Sequence, residues 1–343
     1  MFFKRRRGNA AAAAVAERPA DGAELFAEID RLNAANRAGR DPETEVRIRR
    51  LRNLAGMELL TDPPSDPRYV QPATELPDVD PVSRCPEISP EQLTPALLRG
   101  AILRDGCLLI RGLMDGEKAE RLATDIDRSF ELRSTLAEGE SDPEGFYDEL
   151  IAEPPYQIAE RSWVEDGGGV LAVDSPRMLF DMLESFEHAG LRSVIEDYLG
   201  ERPAISGQKC TLRKATPDVP GGWHQDGRFM GDVRSLNVWI SLSHCGEDAP
   251  SMDVVPTRLE EFVTTGGEGT QLSVQIGQRD AEAAAAEVGI VRPIFRPGDA
   301  LLFDHLFLHK TGSDPSMPNP RYAIESWFFG PSAYPEHYVP IAF

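Results

Sequence analysis

The chain is 343 residues long and carries 36 basic against 57 acidic side chains, a formal charge of −21. That length can bury a full core, a hydrophobic content of 41% is ordinary for a globular protein, and no run nears the roughly 18 apolar residues of a membrane-spanning helix. The acidity lies beyond residue 85, because residues 1–85 hold equal numbers of basic and acidic side chains; a core of that sign repels nucleic-acid phosphate, and no basic stripe interleaved with aromatics offsets it.

The N-terminus opens on the basic run Lys4–Arg7, followed by Ala10–Ala14. The apolar part is too short and too weakly hydrophobic for a secretory signal, so the expectation is a cytosolic arm on a cytoplasmic protein. Residues 22–38, with Asp21 as candidate cap and Leu25, Phe26, Ile29 and Leu32 at helical spacing, predict a helix. A second follows from Pro42 to Leu60, basic through Arg47, Arg49, Arg50 and Arg52. A basic amphipathic helix can meet a membrane surface or an acidic partner, but beside an acidic core it is expected to pack on its own chain. Thr61 to Ser89 is rich in Pro and Asp without periodicity and reads as a linker or strap.

Ser89 and Gln92 have the spacing of a capping box, predicting a helix through Leu98 and Ile102. Asp105–Gly112 reads as a short strand, Gly116 to about Leu132 as a helix, 134–170 as loops and 176–199 as helical. From Ala204 the pattern turns to strands: Ile205–Leu212, Leu236–Leu242, Met252–Val255, Ile290–Phe295, Ala300–Phe303 and Tyr322–Phe329, interrupted by one Ala-rich helix, Ala281–Val288. Helices first and strands later predict helices packed on an antiparallel double sheet. The four cysteines show no C-x-x-C spacing and are expected to be reduced thiols, with Cys210 a core residue.

His224 and Asp226 stand two residues apart in the segment Gly221–Gly227. In an extended chain residues i and i+2 share a face, so an imidazole and a carboxylate there can reach one cation. A third ligand is available from a later strand-like segment, where His305 and His309 compete. His309 is preferred because Thr311 and Gly312 form a turn after it and because Arg321 follows at a distance that fits the next element. Two His and one carboxylate with open positions form the facial triad of non-haem Fe(II) oxygenases. Gln225 between them would face the other way and serve structure. Arg321 opens an apolar strand, and a guanidinium pointing into an interior must meet an anion: a structural acid such as Glu325, or the far carboxylate of a dicarboxylic 2-oxo acid, with the Thr311 hydroxyl beside it. Arg213 and Lys214, upstream of the triad, read either as solvated strand ends or as contacts to an anion.

Together these stretches resemble the phytanoyl-CoA dioxygenase (PhyH-like) family of Fe(II)/2-oxoglutarate-dependent oxygenases. "GCLLIRGLMDGEKAERLATDID", "WHQDG", "LNVWISL", "MDVVP", "RPGDALLFDHLFLHKTG" and "RYAIESWFF" follow one another in that family's order. The resemblance implies an α+β fold with a double-stranded β-helix (cupin-like jelly-roll) core, flanking helices and an N-terminal helical extension. It implies iron ligands at His224, Asp226 and His309, a clamp at Arg321 for 2-oxoglutarate, Thr311 beside it, and Trp239 lining the cosubstrate pocket. It covers residues 89–343 as the dioxygenase domain and leaves 1–88 as an extension and linker. The expected partners are dioxygen and a small organic substrate, with no nucleic acid, no membrane span, and self-association through the N-terminal helices as an expectation. The rival reading is a catalytically silent jelly roll that binds a metal or ligand.

Overall fold

The computed structural model describes residues 22–137, 139–158, 161–218 and 221–343. The basic N-terminal arm and Asp21 therefore lie outside the described residues. Helices α1 (Gly22–Ala38) and α2 (Pro42–Thr61) occur where the periodicity placed them. The start of α2 is fixed by Asp41, whose carboxylate accepts the Thr44 N–H at 3.0 Å, and by Pro42, which needs no donor in the first turn. The pair closes over Leu25, Ile29, Leu32, Ile48, Leu51 and Ala55. The arginines of α2 are used within the chain. Arg49 donates to the Val173 carbonyl and the Asp148 carboxylate, both at 2.8 Å, and Arg52 to the Ala342 carbonyl at 2.8 Å. Arg47 and Arg50 pair with Glu28 and Glu153. Gly56 lets α2 lie directly on the chain near Pro340, since a Cβ there would come within 2.6 Å of the Pro340 carbonyl.

After irregular chain comes strand β1 (Glu87–Ile88). The Gln92 side chain accepts the Ser89 N–H at 3.0 Å, as a capping box requires, but this closes only a 3-10 turn, Pro90–Gln92. The helix itself, α3 (Pro95–Asp105), begins later, with the Thr94 hydroxyl accepting from Leu97 N–H at 3.2 Å. Pro95 is the cause: it cannot donate to a preceding turn and it drives Thr94 into the extended region, where φ is −131° and ψ 153°. Next come β2 (Cys107–Ile110), α4 (Gly116–Thr135), α5 (Arg161–Asp166) and β3 (Gly169–Leu171), the last two inside the segment expected to be loop. The helical stretch that follows is two helices, α6 (Pro176–His188) and α7 (Leu191–Leu199), broken at Ala189 and Gly190.

The C-terminal half comprises β4 (Ala204–Ala215), α8 (Gly227–Met230), β5 (Ser235–Ser241), β6 (Ser251–Val254), α9 (Gln278–Ala284), β7 (Ala300–Phe303), β8 (His309–Gly312), β9 (Arg321–Phe329) and β10 (Pro340–Ala342). Strands β1-β2-β7-β5-β9-β4-β10 form one sheet, with β3 also on β4; all pairs are antiparallel except β1–β2. Side chains alternate across it. Val238, Ile240, Leu302, Ile324 and Phe328 pack with α3, α4, α6 and α7 around Ile102, Ile126 and Met182. Trp239, Leu301, Phe303, Ala323 and Trp327 point the other way, into a second cluster with Met252, Val254 and Phe295. That side is covered by β6 and β8, to which single bridges add Trp223–His224, Ile276 and Val291. The fold is thus mixed, with helices on one face of a large, mainly antiparallel sheet and a small second strand layer on the other. Ile290–Phe295, expected to be a strand, makes only isolated bridges at Val291 and Phe295, because Pro293 between them has no N–H to give a ladder.

Candidate metal centre and its cavity

The two strand layers enclose a cavity of about 420 Å³, and the motif residues lie on its wall. His224 and His309 are locked opposite each other by reciprocal backbone bonds, His224 N–H to His309 O at 3.0 Å and the reverse at 3.2 Å. Their rings come to 4.4 Å between centroids. Asp226 reaches them differently from the expected extended i, i+2 geometry. It sits in the helical region, φ −60° and ψ −28°, as the residue that turns the chain into α8. The turn brings its Oδ2 to 3.6 Å from His309 Nε2. It also packs Gly227 so tightly that a Cβ there would lie 2.6 Å from the Phe262 ring and 2.7 Å from His305. One donor atom from each of His224, Asp226 and His309 falls within 4.8 Å of the others, a group able to hold one metal ion. His305 is not brought in; its Nδ1 lies 3.0 Å from the Ser235 hydroxyl. Gln225 is fully buried and clamps the loop, donating to Leu306 O at 2.6 Å and accepting from Val263 N–H at 2.8 Å.

The donors are prepared for a cation. His224 Nδ1 is 2.8 Å from Gly222 O and His309 Nδ1 is 3.1 Å from Phe307 O. A carbonyl only accepts, so each Nδ1 carries the proton and each Nε2 presents its lone pair. Asp226 is 4% exposed, and its Oδ2 has no hydrogen-bond partner among the described residues. A buried, unpaired carboxylate oxygen is costly unless a cation meets it. Two imidazoles and one carboxylate, with no thiolate, fit a first-row divalent metal and keep coordination positions free.

Burial, then the neighbouring His224, pushes the His309 imidazole from its ordinary 6.5 down to about 4. The unfolded chain therefore takes up this proton first as pH falls. Stability from this group is present above about pH 6.5 and is lost down through about pH 4, on the order of 3 kcal/mol in total. Urea denaturation of metal-free wild type and His309→Gln should show this as a difference in stability that shrinks in the wild type's disfavour between pH 7 and 4; parallel curves would contradict it.

Arg321 lines the same cavity and is 4% exposed. Its Nη1 donates to Ser251 O at 3.0 Å, and among the described residues its Nε has no partner and no carboxylate lies within ion-pair distance. Burial lowers its pKa to about 10. Glu325, the structural acid considered for it, pairs instead with Arg213 at 3.3 Å. Trp239 is 4% exposed, edge-on to Phe295 with ring centroids 4.8 Å apart, and its ring lies 5.5 Å from the Arg321 guanidinium. Thr311 lines the cavity from β8. Arg213 faces the cavity too, whereas Lys214 points to the helical side and pairs with Asp127 at 2.5 Å. Cys210 is buried on that helical side, beside Met182 and Ser326, and all four cysteines are free. Asn237, absent from the sequence reading, lines the cavity, and its Oδ1 is unpaired among the described residues. Its place two residues before Trp239 on one strand face was the available signal.

No protein-family model and no curated protein matches the chain. Among solved structures, EctD from S. alaskensis with 2-oxoglutarate and 5-hydroxyectoine aligns over 78% of this chain and 88% of its own, at 18% identity and a TM-score of 0.49. The same protein in its apoform aligns over 80% and 87%, at 18% identity and 0.49. With bound Fe it aligns over 81% and 88%, at 17% identity and 0.47. At that level of likeness the chemistry of this chain has to be read from its own residues. Among the described residues no helix is long and apolar enough to cross a membrane.

Proposed function

We propose that the chain is an Fe(II)- and 2-oxoglutarate-dependent dioxygenase that oxidises a small organic metabolite, with residues 89–343 as a jelly-roll catalytic domain of the phytanoyl-CoA dioxygenase kind and 1–88 as its extension. One observation carries the reading: a single cavity is lined both by Asp226, which has an orphaned carboxylate oxygen, and by Arg321, which has an orphaned guanidinium nitrogen, among the described residues. A cation answers the first and an anion the second. A ligand that is at once a metal chelator and a carboxylate satisfies both, and 2-oxoglutarate has those two ends.

His224 Nε2, His309 Nε2 and the Asp226 carboxylate would hold the iron. Iron so held would supply dioxygen activation coupled to decarboxylation of 2-oxoglutarate to succinate. The chain's own part is positioning. Arg321 would bind the distal carboxylate, aimed by its bond to Ser251 O, with the Thr311 hydroxyl as a neighbouring donor. Trp239 walls the guanidinium, while Phe303, 5.0 Å from the His309 ring, and Trp327 beneath it keep water from the metal side. The retained carboxylate at 226 favours hydroxylation.

The test is succinate release from 2-oxoglutarate by the Fe(II)-loaded protein across a metabolite library, in air and without oxygen, with Asp226→Ala as the blank. Oxygen-dependent succinate above the blank with at least one metabolite is expected. Metal-loaded protein that never exceeds the blank would leave a silent metal-binding jelly roll as the better reading.

A further inference from the structure

A second cavity, about 280 Å³, lies where α1, α2, α6 and α7 meet, away from the metal centre. Its wall carries four arginines and three acids, and most of the acids are already engaged. Glu184 is gripped by both Nε and Nη2 of Arg37, and Glu187 by Arg192 at 2.6 Å. Asp30 is exposed. Two guanidinium groups are left without a carboxylate among the described residues.

Arg52 is the first. It is 4% exposed, and among the described residues its one hydrogen bond is from Nη1 to Ala342 O and its Nε is unpaired. Burial, reinforced by the charge of Arg192, lowers its pKa to about 10. Arg202 is the second. Its guanidinium lies over the Phe26 ring, 3.4 Å from the centroid, which occupies a face of the group and leaves its N–H edge for a ligand. Asn33, 4% exposed, adds a side-chain oxygen with no partner among the described residues. A buried polar group without a partner calls for an explanation, and both Arg52 and Asn33 belong to the wall of this one cavity.

We propose that this cavity binds a phosphate-bearing small molecule. A phosphate monoester is close to doubly charged at neutral pH and offers several oxygens to two arginines that have no carboxylate within ion-pair distance among the described residues, a charge large enough to compete with Asp30 on the same wall. Guanidinium forks bind phosphate oxygens in pairs, so Arg52 and Arg202 can hold the head group, with Arg192 at its flank. Asn33 can donate once its amide is turned, an orientation set by its hydrogen-bond partners. The volume leaves room for the organic remainder. The proposal stands apart from the metal-centre reading, since no residue is shared between the two cavities.

The probe is inorganic phosphate, titrated against chloride at matched ionic strength and followed by thermal melting and calorimetry. Wild type should show saturable, phosphate-specific stabilisation. Arg202→Gln, at a partly exposed position that spares the Arg52 bond to Ala342, should weaken the affinity at least tenfold. Arg192→Gln gives the same reading should Arg202→Gln fold poorly. Arg321→Gln, which removes the unpaired guanidinium of the metal cavity, should keep the effect. No phosphate-specific shift in wild type overturns the proposal. So does a shift that Arg321→Gln abolishes and Arg202→Gln retains.

Discussion

Asp226→Ala is expected to abolish stoichiometric Fe(II) binding while leaving the metal-free protein as stable as wild type or more so. The two halves of this result come from the same atom. With no metal, Asp226 Oδ2 is buried and unpaired, and Oδ2 faces His309 Nε2 at 3.6 Å, an imidazole that burial holds neutral at ordinary pH. Removing such a carboxylate relieves a desolvation cost on the order of 1–3 kcal/mol, against a small loss of packing. With metal present the sign reverses, because wild type gains binding energy that rises with free Fe(II) and the variant does not. Loss of a direct ligand should exceed the 10–100-fold effect typical of the groups that merely support ligands. Anaerobic equilibrium dialysis, with urea denaturation in the presence and absence of Fe(II), reads both quantities. A variant that keeps near-wild-type affinity, or that is strongly destabilised without metal, contradicts the role given to Asp226.

Arg321→Leu should produce the second large effect, a loss of 2-oxoglutarate affinity of a hundredfold or more with Fe(II) affinity unchanged. Truncating one partner of a desolvated charge pair costs about 2–5 kcal/mol, and roughly 2.8 kcal/mol already corresponds to a hundredfold. The ligand-free protein should not be weakened, since the guanidinium is buried without an acid and its bond to Ser251 O is its only one among the described residues. Arg321→Lys should fall between, keeping the charge but losing the paired N–H geometry. Calorimetric titration of 2-oxoglutarate into the anaerobic Fe(II)-loaded variants measures this. A loss of Fe(II) affinity equal to the loss of 2-oxoglutarate affinity would mean that Arg321 acts on the fold and not on the ligand.

The sequence carried the chemistry of the site further than its geometry. His, Asp and Arg at fixed spacing are few in an apolar strand region, so the candidates could be named, and β4, β5, β7 and β9 stood out as apolar runs bounded by Gly, Pro and Asp. Strand β8 was legible only as a strand-like segment without bounds: His309–Gly312 is short, lacks an apolar run of its own and pairs with β6. The preference for His309 over His305 came from Thr311, Gly312 and the distance to Arg321, and the β6–β8 pairing, which joins residues remote in sequence, is what holds His309 against His224. Asp226 was expected on a strand face and is on a helical turn, a substitution of one local geometry for another that delivers the same convergence. Nor could the sequence say that Arg321 lacks an acid. Glu325 is four residues away, but along a strand that is about 13 Å, while Arg213 on β4 is diagonal to Glu325 and takes it. The N-terminal helices show the same limit. Their periodicity was plain, yet the burial of Arg52 against Ala342 joins opposite ends of the described chain.

The most direct measurement is the affinity for 2-oxoglutarate, determined without oxygen on the wild-type protein before and after loading with Fe(II). If His224, Asp226, His309 and Arg321 form one site, loading should tighten binding by well over tenfold, because metal and guanidinium then hold opposite ends of one ligand. Equal affinity with and without metal, or no binding in either state, would contradict that assignment.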